Sequence, residues 1–238
     1  MAPTSSSPKN SGAPYPNGES SIAGIPQIMR FDVGSTVTGK DQSSIPNTLD
    51  QSNNRPVVSF LGNARLRTLQ TAEPAKMPGM PMLGTSTSLL PYTTAPTETP
   101  QLGSTEVWAL RNHSPDSHPI HEHLVASRLV GRWPVTRWSA QDANGSAYPL
   151  AVGTFQPADA YESGPKDTFV SPPNTITVWA STFTIGTDGV SVWHCHILSH
   201  EDNAMSPMMR PLAVGTTPQT QLPKVGSLNN LDALIRQP

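Results

Sequence analysis

Cysteine is almost absent from this chain. Its 238 residues contain one, Cys195, so no internal disulfide can form, and the count is silent about an oxidising compartment. Charge is sparse as well: charged residues make up 13% of the chain and the net charge is −2, which argues against nucleic acid or an acidic membrane surface as partner. No apolar run approaches the length of a transmembrane helix. Residues 1–10 are rich in Ser and Pro and lack the apolar stretch of a secretory signal, so the sequence leaves the compartment unassigned. No histidine precedes His113. Proline and glycine are plentiful, at 26 and 17, beside 35% hydrophobic residues; together they fit one sizeable core with long irregular segments.

Six of the seven histidines fall in two motifs, His118-Pro119-Ile120-His121-Glu122-His123 and His194-Cys195-His196-Ile197-Leu198-Ser199-His200, the second followed by Met205. Val192 and Trp193 lead into the second motif as a β-strand rich in branched and aromatic residues. Side chains alternate along a strand, so His194 and His196 share one face while Cys195 takes the other. His121 and His123 likewise share a face opposite Glu122. His118 lies beyond a proline expected to break the ladder, which would let it turn toward Cys195. Two ligand sets result: His118, Cys195, His200 and Met205 in one, and His121, His123, His194 and His196 in the other. A thiolate, two imidazoles and a weak thioether contact make a blue-copper electron-transfer centre. Structural zinc closes with four ligands in a tetrahedron; eight candidates in two strand-related sets, one a methionine, favour copper. His113 lies in a polar turn and is expected to be a solvated loop residue.

The two motifs resemble those of the multicopper oxidases, most closely the spore-coat laccase and bilirubin oxidase branch. The likeness extends to residues 97–108, 164–168 and 28–33, and covers the chain from roughly Ile25 to Val214. It implies an all-β, single cupredoxin-like Greek-key sandwich. It further implies that His118, Cys195 and His200 bind a type 1 copper with Met205 axial, that His121 binds type 2 copper, and that His123, His194 and His196 bind the type 3 pair. In such enzymes electrons from phenolic or other aromatic donors pass from type 1 copper, through Cys195, to a three-copper cluster that reduces O2 to water. Glu201 is implied as a proton relay; an orienting hydrogen bond to a ligand loop is its equal alternative.

The family's cluster is held by eight histidines, four of them from an N-terminal domain, and this chain supplies four. The expectation is therefore a C-terminal domain, with segment 12–18 resembling the close of a preceding one. Oxygen chemistry would need the missing N-terminal domains or a second copy of the chain, since a two-fold contact uses one patch twice. The alternatives are a non-enzymatic one-copper electron carrier or copper-binding module, and an inactive truncated fragment.

Residues 1–24 read as disordered or as a remnant of a preceding domain, 25–215 as the cupredoxin domain, and 216–238 as a tail. Candidate strands are 28–33, 57–60, 105–110, 124–130, 175–179 and 190–196, with a long polar loop at 34–55. A short helix in the tail, N-capped by Ser227 and bearing Leu228, Leu231, Leu234 and Ile235 on one side, could cover the end of the sandwich. Met77, Met80 and Met82 could form a soft Cu(I) landing site, although core or loop filler is the stronger expectation. Two residues depart from the family pattern. Glu122 fills an aliphatic slot facing the core, a costly place for a carboxylate unless it is neutralised or paired, with Arg128 and Arg132 as candidate partners. Ser127 replaces an aromatic and is expected to leave a hole.

Overall fold

The computed structural model describes residues 39–40, 42–44, 58–186, 190–202 and 207–237. The chain divides into two compact units, Pro14–Asn54 and the remainder, Met1–Ala13 with Arg55–Pro238. In the first, the described residues 39–40 and 42–44 form neither helix nor strand. The expected strand at 28–33 and most of the loop at 34–55 lie outside the described residues.

Among the described residues, the second unit holds twelve strands in two sheets. The larger sheet is built from β1 (Arg65–Ala72), β2 (Met82–Thr85), β3 (Ser88–Leu89), β4 (Thr105–Asn112), β6 (Arg128–Trp138), β7 (Pro149–Val152), β8 (Gln156–Pro157) and β10 (Thr175–Thr182). Its order is β3-β2-β1-β4-β10-β6-β7, with β8 pairing to β6. The smaller sheet has β12 (Met209–Leu212), β11 (Ser191–Cys195), β5 (His118–Glu122) and β9 (Thr168–Ser171), in that spatial order. Among these ladders only β1 with β4 is parallel.

The central strands β4 and β10 are buried on both faces, which explains their near-continuous apolar runs. Trp108 and Leu110 of β4, with Leu129 and Trp179, face Ile120, Phe169, Trp193 and Leu212 of the smaller sheet. Val107 and Ala109, offset by one residue, join Trp133, Ile176 and Val178 on the outer face. A helix (α3, Leu228–Ile235) covers that outer face through Leu231 and Ile235. Ser227 caps it by accepting from the Asn230 N–H at 3.2 Å, and Trp133 donates its indole N–H to Asp232 at 2.7 Å. The helix thus lies over the larger sheet, and not at the end of the sandwich as expected. Its apolar residues have a whole sheet face to fill.

Three core tryptophans touch one another: Trp108 lies 5.4 Å from Trp193 and 6.0 Å from Trp179 between ring centres. Each donates its indole N–H to a buried carboxylate, Trp108 to Glu106, Trp179 to Glu122 and Trp193 to Glu98. Buried indoles need such acceptors, and buried acids need such donors.

Several expectations are corrected. Of residues 57–60, read as a strand, 58–60 belong instead to a single helical turn (α1, Val58–Leu61), and 57 lies outside the described residues. The strand expected from Leu124 begins only at Arg128, because Leu124 has φ 75° and leaves the extended region. Met77 and Met80 are half-buried, while Met82 is buried at the start of β2. No described helix is long and apolar enough to cross a membrane.

Truncating Leu231, which is fully buried, should cost about 2–5 kcal/mol in urea unfolding. Ser227→Ala should cost about 1 kcal/mol through the lost cap. If Leu231→Ala unfolds like the parent chain, the helix is not part of the cooperative core.

Candidate metal centre

The pairing of β5 with β11 brings together His118, His121, His194 and Cys195, with His123 and His196 directly after the two strands. The register sets Cys195 opposite Ile120, His194 opposite His121 and Trp193 opposite Glu122. Within β5, His118, Ile120 and Glu122 are buried and alternate with half-exposed Pro119 and His121. Pro119 therefore does not break the ladder; it is paired with Val170 inside the strand. His118 reaches the Cys195 side because it is an odd number of residues from His121, by ordinary alternation. After Cys195 the chain enters a single helical turn (α2, Leu198–Glu201) that exposes Leu198 and buries His200.

Cys195 Sγ lies 3.7 Å from His118 Nδ1 and 3.6 Å from His200 Nδ1. These three side chains form one group of potential metal ligands, with ligand atoms all within 4.8 Å of one another. Burial pushes the Cys195 thiol up to about 12, against a smaller opposing effect from the Ile197 backbone. Burial, with the neighbouring His200, brings His118 down to about 3, and burial lowers His200 as well. Two neutral imidazoles and a thiol that ionises only beside a cation form a donor set suited to a borderline-soft metal such as copper. Met205, the expected fourth ligand, lies outside the described residues.

On the other face, His121, His123 and His194 form the second group, again within 4.8 Å. His196 is exposed and stands beside them, its ring 5.3 Å from His194 and 5.5 Å from His121. His121 Nδ1 lies 2.9 Å from the Asp167 carbonyl and His194 Nδ1 lies 3.1 Å from the Cys195 carbonyl. Carbonyls only accept, so both Nδ1 atoms carry hydrogens and both Nε2 atoms keep lone pairs. His194 Nε2 faces His123 Nε2 at 3.2 Å. Burial, then the neighbouring His121 and His194, lowers His123 and so favours its neutral, ligand-ready form. A groove of about 550 Å³ opens beside His121 and His123, walled by Leu124, Pro165, Lys166 and Asp167. Glu201 Oε2 sits 3.4 Å from His194 Nδ1.

Residues 61–213 match the model of the multicopper oxidase family, well over half of the chain. The chain belongs to the multicopper oxidases. A laccase of Bacillus subtilis is 34% identical over 187 residues, covering 79% of this chain and 34% of that enzyme. A laccase of Haloferax volcanii is 44% identical over 106 residues, 44% of this chain and 15% of that protein. The chain thus spans about a third or less of the length of these relatives. A solved multicopper oxidase from Campylobacter jejuni, a metallo-oxidase, overlays with TM-score 0.50 at 20% identity, covering 74% of this chain and 34% of its own. That overlay supports the all-β, cupredoxin-like fold. Copper is the metal of the family.

The two departures from the family pattern are in contact with each other. Arg128 donates to the Ser163 carbonyl and Arg132 pairs with Glu162, so neither reaches Glu122. Glu122 Oε2 instead accepts from Ser127 at 3.0 Å, Trp179 at 2.9 Å and Ser181 at 2.6 Å. Ser127, read as a hole, is one of the donors that make the carboxyl tolerable. Sequence reasoning also missed Ser114, which contacts His118, Asn112, which contacts Ser114, and Asp167, whose carbonyl orients His121. The run Asn112-His113-Ser114 just before the motif was the available signal, since Asn and Ser at such spacing often bond locally. His113, expected in solvent, is half-buried beside Trp138 at 5.0 Å.

Burial raises Glu122 to about 7, the three hydrogen bonds opposing it only in part. A carboxyl whose folded value lies above its unfolded one stabilises most below the unfolded value. Stability of the metal-free chain should therefore fall as pH rises from 4.5, the ordinary value of the carboxyl, toward about 7, its folded value, at up to roughly 1.4 kcal/mol per pH unit. Glu122→Gln, compared with the parent in urea unfolding across that range, should remove this component. Equal pH slopes for the two chains would show that Glu122 does not titrate there.

Proposed function

We propose that this chain is the copper-bearing C-terminal domain of a laccase-like multicopper oxidase. His118, Cys195 and His200, together with Met205, would hold a type 1 copper. His121 serves type 2 copper, and His123, His194 and His196 serve the type 3 pair. What supports the reading above all is that Cys195 and His194, adjacent in sequence, belong to two ligand groups on opposite faces of one strand. Copper, when bound, supplies one-electron redox chemistry between a phenolic or other aromatic donor and O2.

The chain's own residues do the rest. His200 is 7% exposed where His118 is fully buried, so its edge is where a donor approaches. The backbone from Cys195 to His194 is the covalent path between the two groups. Ile120, Phe169 and the core tryptophans keep water from the thiol. Glu201 Oε2 lies 3.4 Å from His194 Nδ1, and a carboxyl there can carry a proton toward reacting oxygen. The remaining cluster ligands come from another domain or from a second copy of the chain.

Copper-loaded, desalted protein should retain at least about one copper per chain and show an intense visible thiolate-to-copper absorption. Cys195→Ser should abolish the absorption while leaving copper on the histidine face. A folded parent chain that holds copper without that absorption would sink the type 1 assignment.

A further inference from the structure

A buried polar line leads away from the copper-facing side of His118. His118 and Asn112 are fully buried and Ser114 is 2% exposed. Ser114 Oγ lies 2.7 Å from His118 Nε2, on the ring edge opposite the nitrogen that faces Cys195. Hydrogen-bond accounting along this line assigns the proton.

Asn112 Nδ2 lies 2.8 Å from the Asp116 carbonyl, 2.8 Å from the Ser171 carbonyl and 3.0 Å from the Pro172 carbonyl. Three acceptors around one position admit the amide nitrogen and not the amide oxygen. The oxygen, Oδ1, therefore faces Ser114, where it accepts from the backbone N–H at 3.0 Å and from the hydroxyl at 2.7 Å. A serine has one O–H. If that hydrogen turned to His118, two lone-pair oxygens would face each other at 2.7 Å with no water to separate them. With the hydroxyl directed to Asn112, Ser114 Oγ accepts, and its partner must be a His118 Nε2–H. The Asp116 N–H, 3.4 Å away, approaches the same oxygen as a further donor.

We propose that Asn112 and Ser114 are positioning residues that lock His118 in its Nε2–H tautomer, keeping the Nδ1 lone pair aimed at the metal position beside Cys195. The geometry stands without metal, while its functional meaning rests on the copper reading above. The lock matters because the competing tautomer has a partner: a His118 Nδ1–H could point at Cys195 Sγ, 3.7 Å away, and fill the ligand pocket with a hydrogen. Removing the Ser114 hydroxyl would leave a buried Nε2–H with no acceptor, a penalty that favours that closed form.

The test starts on metal-free full-length chain, where two-bond nitrogen–proton NMR correlations of the histidine rings report tautomers directly. The parent should show His118 as Nε2–H only. Ser114→Ala should introduce the Nδ1–H form and weaken Cu(II) binding, read by the thiolate absorption, by about ten- to a hundredfold. Ser114→Thr, which keeps the hydroxyl, should restore both the tautomer and the affinity and so guards against a mere folding defect. A parent His118 in the Nδ1–H form, or Ser114→Ala with unchanged tautomer and affinity, would overturn the proposal. If the tautomer changes in Ser114→Ala but the parent gives no thiolate–copper absorption, the lock stands and the copper reading falls.

Discussion

One antiparallel pairing, β5 against β11, holds both ligand groups in place. Its register sets His121 beside His194 on one face and brings Cys195 level with Ile120 on the other. A slip of a single residue would send every side chain of β11 to the opposite face. Cys195 would then meet the groove and His194 the tryptophan core. The register is anchored by burial: Ile120, Trp193 and Phe169 have their places only in the core between the sheets. The residues that hold the sandwich together are interleaved with the residues that would hold metal, so neither set can shift alone.

The core is more polar than its aromatic content suggests, and its polar groups are matched to one another. Glu98, Glu106 and Glu122 are each about 1% exposed, and each receives an indole N–H. Glu106 also holds Arg67 through both oxygens at 2.7 Å, and Glu98 lies 3.8 Å from the Arg210 guanidinium. Glu122 has no cation and relies on hydroxyl and indole donors, and burial accordingly lifts it toward neutrality. Neighbouring tryptophans therefore do two jobs: their rings fill the space between the sheets, and their N–H groups make buried acids acceptable. Polar lines of the same kind set the ring orientations of His118 and His121 from behind. Such supports fix which nitrogen is offered to a ligand.

The histidine motifs were legible because strand alternation is a local rule. Parity alone separates His118 and Cys195 from His121 and His194, and the helix after Ser227 could be read from its cap and its apolar spacing. The helical turn at 58–61 and the late start of β6 were not legible, since three apolar residues around Ser59 suit either a strand or a turn, and the left-handed Leu124 is invisible in composition. The role of Pro119 was misjudged for a related reason. Its missing N–H is harmless where the local ladder needs no donor, while its carbonyl accepts from His196 at 2.7 Å.

Sequence alone determined the candidate ligand types, their placement on opposite strand faces and the all-β class, because each follows from residue chemistry and a period of two. Tertiary structure alone decided how Glu122 is satisfied, where the final helix docks and which face of Asn112 meets Ser114. Those outcomes depend on Trp179, Ser181, Ser171 and Trp133, which lie far along the chain from the groups they serve. A hydrogen bond spanning such a separation is set by the stacking of two sheets, and no local pattern encodes it.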